Sequence, residues 1–437
     1  MLSSLPEEQT IGIDHFISNH AGVGGSLRNT PEDFQVYEIE NVDYKPLNSD
    51  PSTYQYLIFR ATLLNWDTNS FARELSSHLD VPQNYISWAG TKDKRAFTTQ
   101  LFSLKNTHPI SLPTIPDTTM QPVGRLGRNL YFGDLAGNHF EIIVHDPAEV
   151  SNISAITDDL KNFGGGTISF PNYFGHQRFG SIRPITHHVG LCIARGDWEG
   201  ALMSYLGSPY SSEPEETQEA RSLVQSTHDW ELSLSLFPKW LHYERNMLKS
   251  LLHTGGKTEQ DYRIALETLP RNLQLLLTHA AQSYIFNRIL SLRLDKKIPF
   301  HMATVGDTVC FSKPTHGLNL PDITKSQTAT SKNLNSLNRH LTRNRAFVTA
   351  PLIGSETTLS PGYPGEIEQM ALTEVGLSPH SFDLPGLFNS FGSLRPILTT
   401  TQLELQENPL TFSFDLPRGS YATVFLREYL KSHLSQM

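Results

Sequence analysis

The sequence predicts an α+β protein in which one domain is interrupted by another, and three features of the chain predict it. Short stretches with β alternation, mixed with helical ones, fill the first 180 residues. From about Ile185 a helical period takes over, and near the end Thr411–Asp415 returns to β alternation before a last helix. At 437 residues the chain exceeds the length at which a single core keeps growing, which makes two domains the expectation.

The elements follow in order. Phe34–Glu40 and Tyr54–Arg60 alternate and carry β-formers, so both read as strands. Asp67 and Thr68 precede apolar positions at Phe71, Leu75 and Leu79, a capped helix over 67–79. Tyr85–Ala89, Gln100–Leu104 and His139–Val144 read as further strands, and Val150–Phe163 as a helix. Gly164, Gly165 and Gly166 break the pattern; the spacing is not GxGxxG, so the triplet reads as a turn and not a phosphate loop. A short β-like piece, Thr167–Phe170, follows. Helical spacing then runs through 188–193, 219–236, 240–252 and 273–294. The stretch from Asp322 to Arg345 is rich in Ser, Thr and Asn and reads as an exposed loop. Ser420 is placed to cap the final helix, with Ala422, Leu426, Tyr429 and Leu430 on one side. No internal repeat is apparent.

Hydrophobic content of 38% and charged content of 18% fit a folded globular chain and not a disordered one. There is no apolar run long enough to span a bilayer. The segment MLSSLPEEQT has neither a basic nor an apolar leader region, so no secretory signal is expected. Cys192 and Cys310 are far apart and in no CxxC context, which argues against a disulfide scaffold or structural zinc and for a reducing cytoplasm. The net charge of −9 weighs mildly against nucleic acid as a partner, but it hides an asymmetry. Residues 288–345 hold ten Lys or Arg against three acids, while residues 1–180 hold twelve against twenty. A basic segment in an acidic chain suits phosphate contact confined to one surface, and suits a solvated loop equally well.

Gly90–Gln100, GTKDKRAFTTQ, is the most informative stretch. It sets one carboxylate, Asp93, between Lys92 and Lys94, with Arg95 next. Cations a few ångström away favour the charged form of a carboxylate, which can then serve as nucleophile, base or cation ligand. Taken alone, the stretch is more simply a solvated turn. Pro171–Gly180, PNYFGHQRFG, packs Tyr173, Phe174 and Phe179, the amides of Asn172 and Gln177, and Arg178 between two glycines. Rings and amides together can hold an unstacked nucleobase, and they can equally make a packed turn. Arg28–Phe34, RNTPEDF, and Leu416–Glu428, LPRGSYATVFLRE, are weak signals by themselves. His187 and His188 are adjacent, so on a helix they diverge and make poor metal ligands; no GxSxG elbow is present.

Together these segments resemble the TruD family of tRNA pseudouridine synthases, in that family's order: RNTPEDF, AGTKDKRAFTTQ, GNHF (137–140), PNYFGHQRFG and LPRGSYATVFLRE. HAAQSYIFNRILSLR (279–293) and FGSIRPITHHVG (179–190) are similar to its archaeal and eukaryotic branch. The resemblance implies a pseudouridine-synthase-type catalytic domain with a mixed, largely antiparallel sheet, built from residues 1–184 and 391–437. A helix-rich α/β TRUD domain, residues 185–390, would be inserted into it and face it across a cleft. It implies Asp93 as nucleophile, Arg28 as the base that pairs with it bidentately, Phe174 as the ring that stacks on the target uracil, and Asn172 beside it. Phe34, Gln177 and Lys92 are expected at the substrate. Arg339, Arg343 and Arg345 are expected on RNA phosphates, from charge alone. The implied substrate is tRNA, at uridine 13 of the D-arm, with no metal, cofactor or membrane required. Two rivals remain at this stage: an RNA-binding module without catalysis, and a glycosidase whose second acid is Glu32 or Asp33.

Overall fold

The computed structural model describes residues 3–105, 111–180, 182–315 and 317–432. Strands β1 (Phe34–Glu40), β2 (Tyr56–Leu64), β3 (Ile86–Trp88), β4 (Phe97–Lys105), β5 (Thr118–Leu126) and β6 (Leu135–Ile143) make the N-terminal part. The short β7 (Ser169–Pro171) follows the glycine triplet, where Gly165 and Gly166 take positive φ and turn the chain as expected. Beyond the helical stretch come β8 (Thr308–Thr315), β9 (Leu318–Thr328), β10 (Ala346–Leu352) and β11 (Ser393–Pro396). Then β12 (Leu398–Thr400), β13 (Leu403–Glu407) and β14 (Leu410–Pro417) precede the last helix.

The main sheet has the order β13-β14-β6-β1-β4-β2-β5, with β3 on β4. Strand β1 runs parallel to β4, with Gln35 in register with Phe97, while β6 and β14 are antiparallel neighbours. That one parallel pairing positions the site. Segments preceding β1 and preceding β4 must arrive at the same edge of the sheet. Arg28 lies six residues before β1 and Asp93 four before β4. Strand β5 carries Pro122 and Gly124, which argue against a strand; it lies at the end of the sheet order, where a register shift opposite Ile58/Phe59 absorbs them.

The capped helix forms as its spacing requires: Asp67 accepts from Ser70 N at 2.9 Å, and Phe71, Ala72 and Leu75 are buried over Thr68–Leu79. The single helix expected over 219–236 is two, Glu215–Thr227 and Trp230–Leu236. His228 is left-handed between them and Asp229 caps the second through Leu232 N, so a cap replaces the continuous turn. The long helix Arg271–Asp295 is buried on almost every side from Ala280 onward, and its buried Gln282, Asn287, Ser291 and Arg293 are hydrogen-bonded.

The stretch from Asp322 to Arg345 is not a loop. It holds most of β9, which pairs antiparallel with β8, and a helix, Leu334–Thr342. Its polarity has a physical reason: β9 is the edge strand of the sheet β11-β10-β8-β9, and the helix buries only one face, through Leu337 and Leu341. Ser420 does not cap the final helix Ala422–Leu430; its hydroxyl bonds Asn172 Oδ1 at 3.2 Å and Thr399 Oγ1 at 3.1 Å. A short repeat is also present after all. FGSIRPI (179–185), just before the helical stretch, recurs as FGSLRPI (391–397), which holds β11.

One core joins the N-terminal segment (Ile11, Ile13), β1, β6 and β14, the long helix (Ala281, Ile285, Ile289) and the final helix (Phe425, Leu426). A second lies among the helices from Val189 to Leu277, and a third between the main sheet and the helix Thr68–Leu79. Among the described residues no helix is long and apolar enough to cross a membrane.

Candidate active site

Asp93 sits on the connection between β3 and β4, and the connection is tied at several points. Lys92 N donates to Thr68 Oγ1 at 2.7 Å, Gln100 Nε2 to Gly90 O at 3.1 Å, and Arg95 N to Asn65 Oδ1 at 3.2 Å. Arg95 takes a positive φ of 61°, a bend that the bonded neighbours hold in place. The Asp93 side chain is exposed and faces a cavity of about 150 Å³ lined by Arg28, Phe34, Asn138, Gln177 and Tyr421. Gln177 Nε2 donates to Asp93 Oδ2 at 2.9 Å.

The structure brings most of the expected residues to this edge of the sheet, but changes several of their roles. Arg28 makes no ion pair with Asp93; its guanidinium lies 4.0 Å over the Phe34 ring instead, and its Nε is buried without a partner. Burial pulls the Arg28 pKa below its ordinary value, the Asp93 charge pulls it back, and Arg95 opposes that. Lys92 belongs to the cavity wall, yet its ammonium pairs with Glu38 at 3.3 Å, both side chains being almost fully buried at 6% and 3% exposure. Its ammonium is thus engaged by Glu38 and not by Asp93. Burial raises the Glu38 pKa and the Lys92 charge opposes the rise.

Asn172 is likewise engaged. Its Nδ2 donates to Pro396 O at 2.9 Å, and its Oδ1 accepts from Arg395 Nη2 at 2.8 Å and from Ser420 Oγ. Its amide thus joins β7 to the C-terminal strands instead of presenting to a base edge. The Phe174 ring is covered by the Arg395 guanidinium at 4.0 Å and meets Phe286 and Tyr421 edge-on. Of the expected rings, Phe34 and not Phe174 lines the Asp93 cavity. Asp33 is buried, bonded to Thr30 N and 2.9 Å from His145 Nε2, so it is not the second acid of a glycosidase.

Three groups at this site were not among the expected residues. Asn287, on the long helix, accepts from Phe174 N at 2.8 Å and donates to Phe174 O at 3.0 Å and Ile11 O at 2.9 Å. Tyr421 joins the Asp93 cavity to the Phe174 ring. Arg395 is a half-buried guanidinium bonded to Asn172 and Gly419 O, and desolvation draws its pKa down to about 10. The FGSLRPI repeat was the available signal for Arg395: its counterpart Arg183 is also drawn down to about 10 by burial and also caught by backbone oxygens, those of Tyr205 and Gly207. His187 and His188 do not diverge; their rings lie 4.0 Å apart.

A second, larger cavity of about 720 Å³ opens between β14 and the β8–β11 sheet and shares Ser420 with the first. Arg395 and Arg418 are in its wall, as are Thr342 and Asn344 from the basic segment. Arg339, Arg343 and Arg345 are exposed, with no carboxylate within ion-pair distance among the described residues.

Residues 10–429 match the family model of tRNA pseudouridine synthase D (TruD). The chain is 48% identical over 433 residues to "Probable tRNA pseudouridine synthase D" of Halobacterium salinarum, covering 99% of each chain. A protein of the same description from Methanococcoides burtonii is 41% identical, with 97% of each chain covered. The crystal structure of a TruD protein from Methanosarcina mazei superposes with a TM-score of 0.82 at 37% identity, covering 99% of this chain and 100% of that one.

Proposed function

Because the chain belongs to the TruD family of tRNA pseudouridine synthases, we propose that it converts uridine 13 of the tRNA D-arm to pseudouridine with Asp93 as the nucleophile. Membership makes it a tRNA pseudouridine synthase; the target position and the part of Asp93 go beyond the family assignment. One observation carries the reading: a single exposed carboxylate, held by the Gln177 amide, faces a small cavity with the Phe34 ring in its wall.

A stacked uridine is out of reach, so the base leaves the helix and its lost stacking is offset inside the cavity. Asp93 then attacks C1′ of the ribose, removes a 2′-proton to give a glycal, or adds to C6 of the ring. In each route the N1–C1′ bond breaks, the C5–C1′ bond forms, C5 gives up its hydrogen and N1 gains one. No oxidant or reductant is consumed. Arg28 occupies the Phe34 face in the free protein, so an arriving uracil takes that face and releases the guanidinium toward Asp93.

The test is tritium release from [5-³H]uridine-labelled tRNA by wild type and Asp93→Asn, with the modified position mapped. Release by wild type alone, from position 13, is expected. Equal release by the variant would remove Asp93 from the chemistry, and binding without release by either would favour an RNA-binding module.

A further inference from the structure

Phe132 and Tyr131 form an exposed aromatic pair, 76% and 56% accessible, on a tight turn that the site described above does not use. Asp134 N donates to Tyr131 O at 3.0 Å, Gly133 has a φ of 98°, and Tyr131 N donates to the Asp134 carboxylate at 2.8 Å. Arg128 holds that carboxylate with two nitrogens and lies 4.8 Å over the Tyr131 ring, closing one of its faces. The turn is therefore braced on its Tyr131 side and leaves the Phe132 ring to solvent.

The turn is fastened to the two chain segments that lead into the walls of the Asp93 cavity. Gly133 N donates to Ala89 O at 2.7 Å, and Ala89 is four residues before Asp93, a span of at most about 14 Å. Gly133 O accepts from Arg418 Nη1, and Ser420 and Tyr421, two and three residues on, line that cavity. Arg418 also reaches the larger cavity and has no carboxylate within ion-pair distance among the described residues. An exposed ring beside a cation without a carboxylate partner, on a turn bonded to the segment that leads into the carboxylate, fits single-stranded RNA.

We propose that the turn 131–134 is a stacking platform for an unpaired base next to the isomerised uridine, with Phe132 under the base and Arg418 at its phosphate. The inference rests on the reading of the site as a uridine isomerase. Flipping one nucleotide leaves its neighbour without a stacking partner, and the Phe132 face replaces that partner.

The experiment compares wild type, Phe132→Ala, Phe132→Leu and Phe132→Trp, measuring Kd for unmodified [5-³H]uridine-labelled tRNA transcripts together with tritium release. The side chain is exposed, so all four proteins fold alike, which circular dichroism checks. Expected for Ala and Leu is a Kd raised about 5- to 150-fold, the range of one base–aromatic stack, with Trp near wild type. The salt slope of binding stays fixed because no charge changes. Wild-type Kd in the Ala variant overturns the platform. So does wild-type Kd in the Leu variant, since an apolar contact of the protein-docking kind would then suffice. Absence of release by wild type removes the isomerase reading, while the Kd series still reports on the ring.

Discussion

His187 is wholly buried where the N-terminal segment meets the helical stretch, and acid should loosen the protein through it. Its ring stacks on Tyr284 with centroids 5.1 Å apart, meets Phe179 edge-on, and bonds Thr10 O through Nε2 at 3.1 Å. Burial, chiefly, pulls its pKa from 6.5 to about 3; the His188 and His176 charges act the same way and the Thr10 carbonyl opposes them. The folded state thus holds the ring neutral while the unfolded chain protonates it below 6.5. Stability from this group is complete above pH 6.5 and is lost as pH falls toward 3. Each pH unit inside that window costs about 1.4 kcal/mol, so going from pH 7 to pH 5 costs about 2 kcal/mol. His187→Phe keeps a flat ring but cannot titrate. The unpaired Thr10 carbonyl it leaves is a penalty that does not depend on pH and cancels in a difference of differences. Urea unfolding of both proteins at pH 7 and pH 5 should show wild type losing about 2 kcal/mol more than the variant. Equal losses, within about 0.5 kcal/mol, would mean that the ring is protonated in the folded state and that the burial argument is wrong.

Two further outcomes follow from the geometry. Lys92→Met strands the buried Glu38 carboxylate and should cost about 3–5 kcal/mol in urea unfolding, while the double variant Lys92→Met/Glu38→Leu should recover most of it; no recovery would show that Lys92 acts elsewhere. Replacing Arg339, Arg343 and Arg345 together by Gln should lower the slope of log K against log salt for tRNA by about 2, at about 0.7–0.9 per phosphate contact; an unchanged slope would take the three off the RNA.

What the sequence made legible was local. The β1 strand, the capped helix and the Asp93 connection depend on neighbours within a few residues, and each lies where its pattern placed it. What it did not reveal was non-local. Lys92 finds Glu38 only because β1 and β4 run parallel, a fact that no short window contains. Asn172 looked like a free amide because its partners, Pro396, Arg395 and Ser420, are more than two hundred residues away. The edge strand β9 was mistaken for a loop because a strand with little to bury carries little alternation.

The long helix Arg271–Asp295 gives the chain an architectural debt. Asn287 and Ser291 reach out of it to bond Phe174, Ile11, Gly12 and Tyr173, all more than a hundred residues earlier in the sequence. A graft that swapped this helix between relatives would thus carry away bonds that hold Phe174 and Ile11 in place. Chimeras would have to keep this helix native to the recipient, and drift at Asn287 would have to be matched at the loop it holds. In this fold a single helix serves as the beam on which distant segments of the chain are hung.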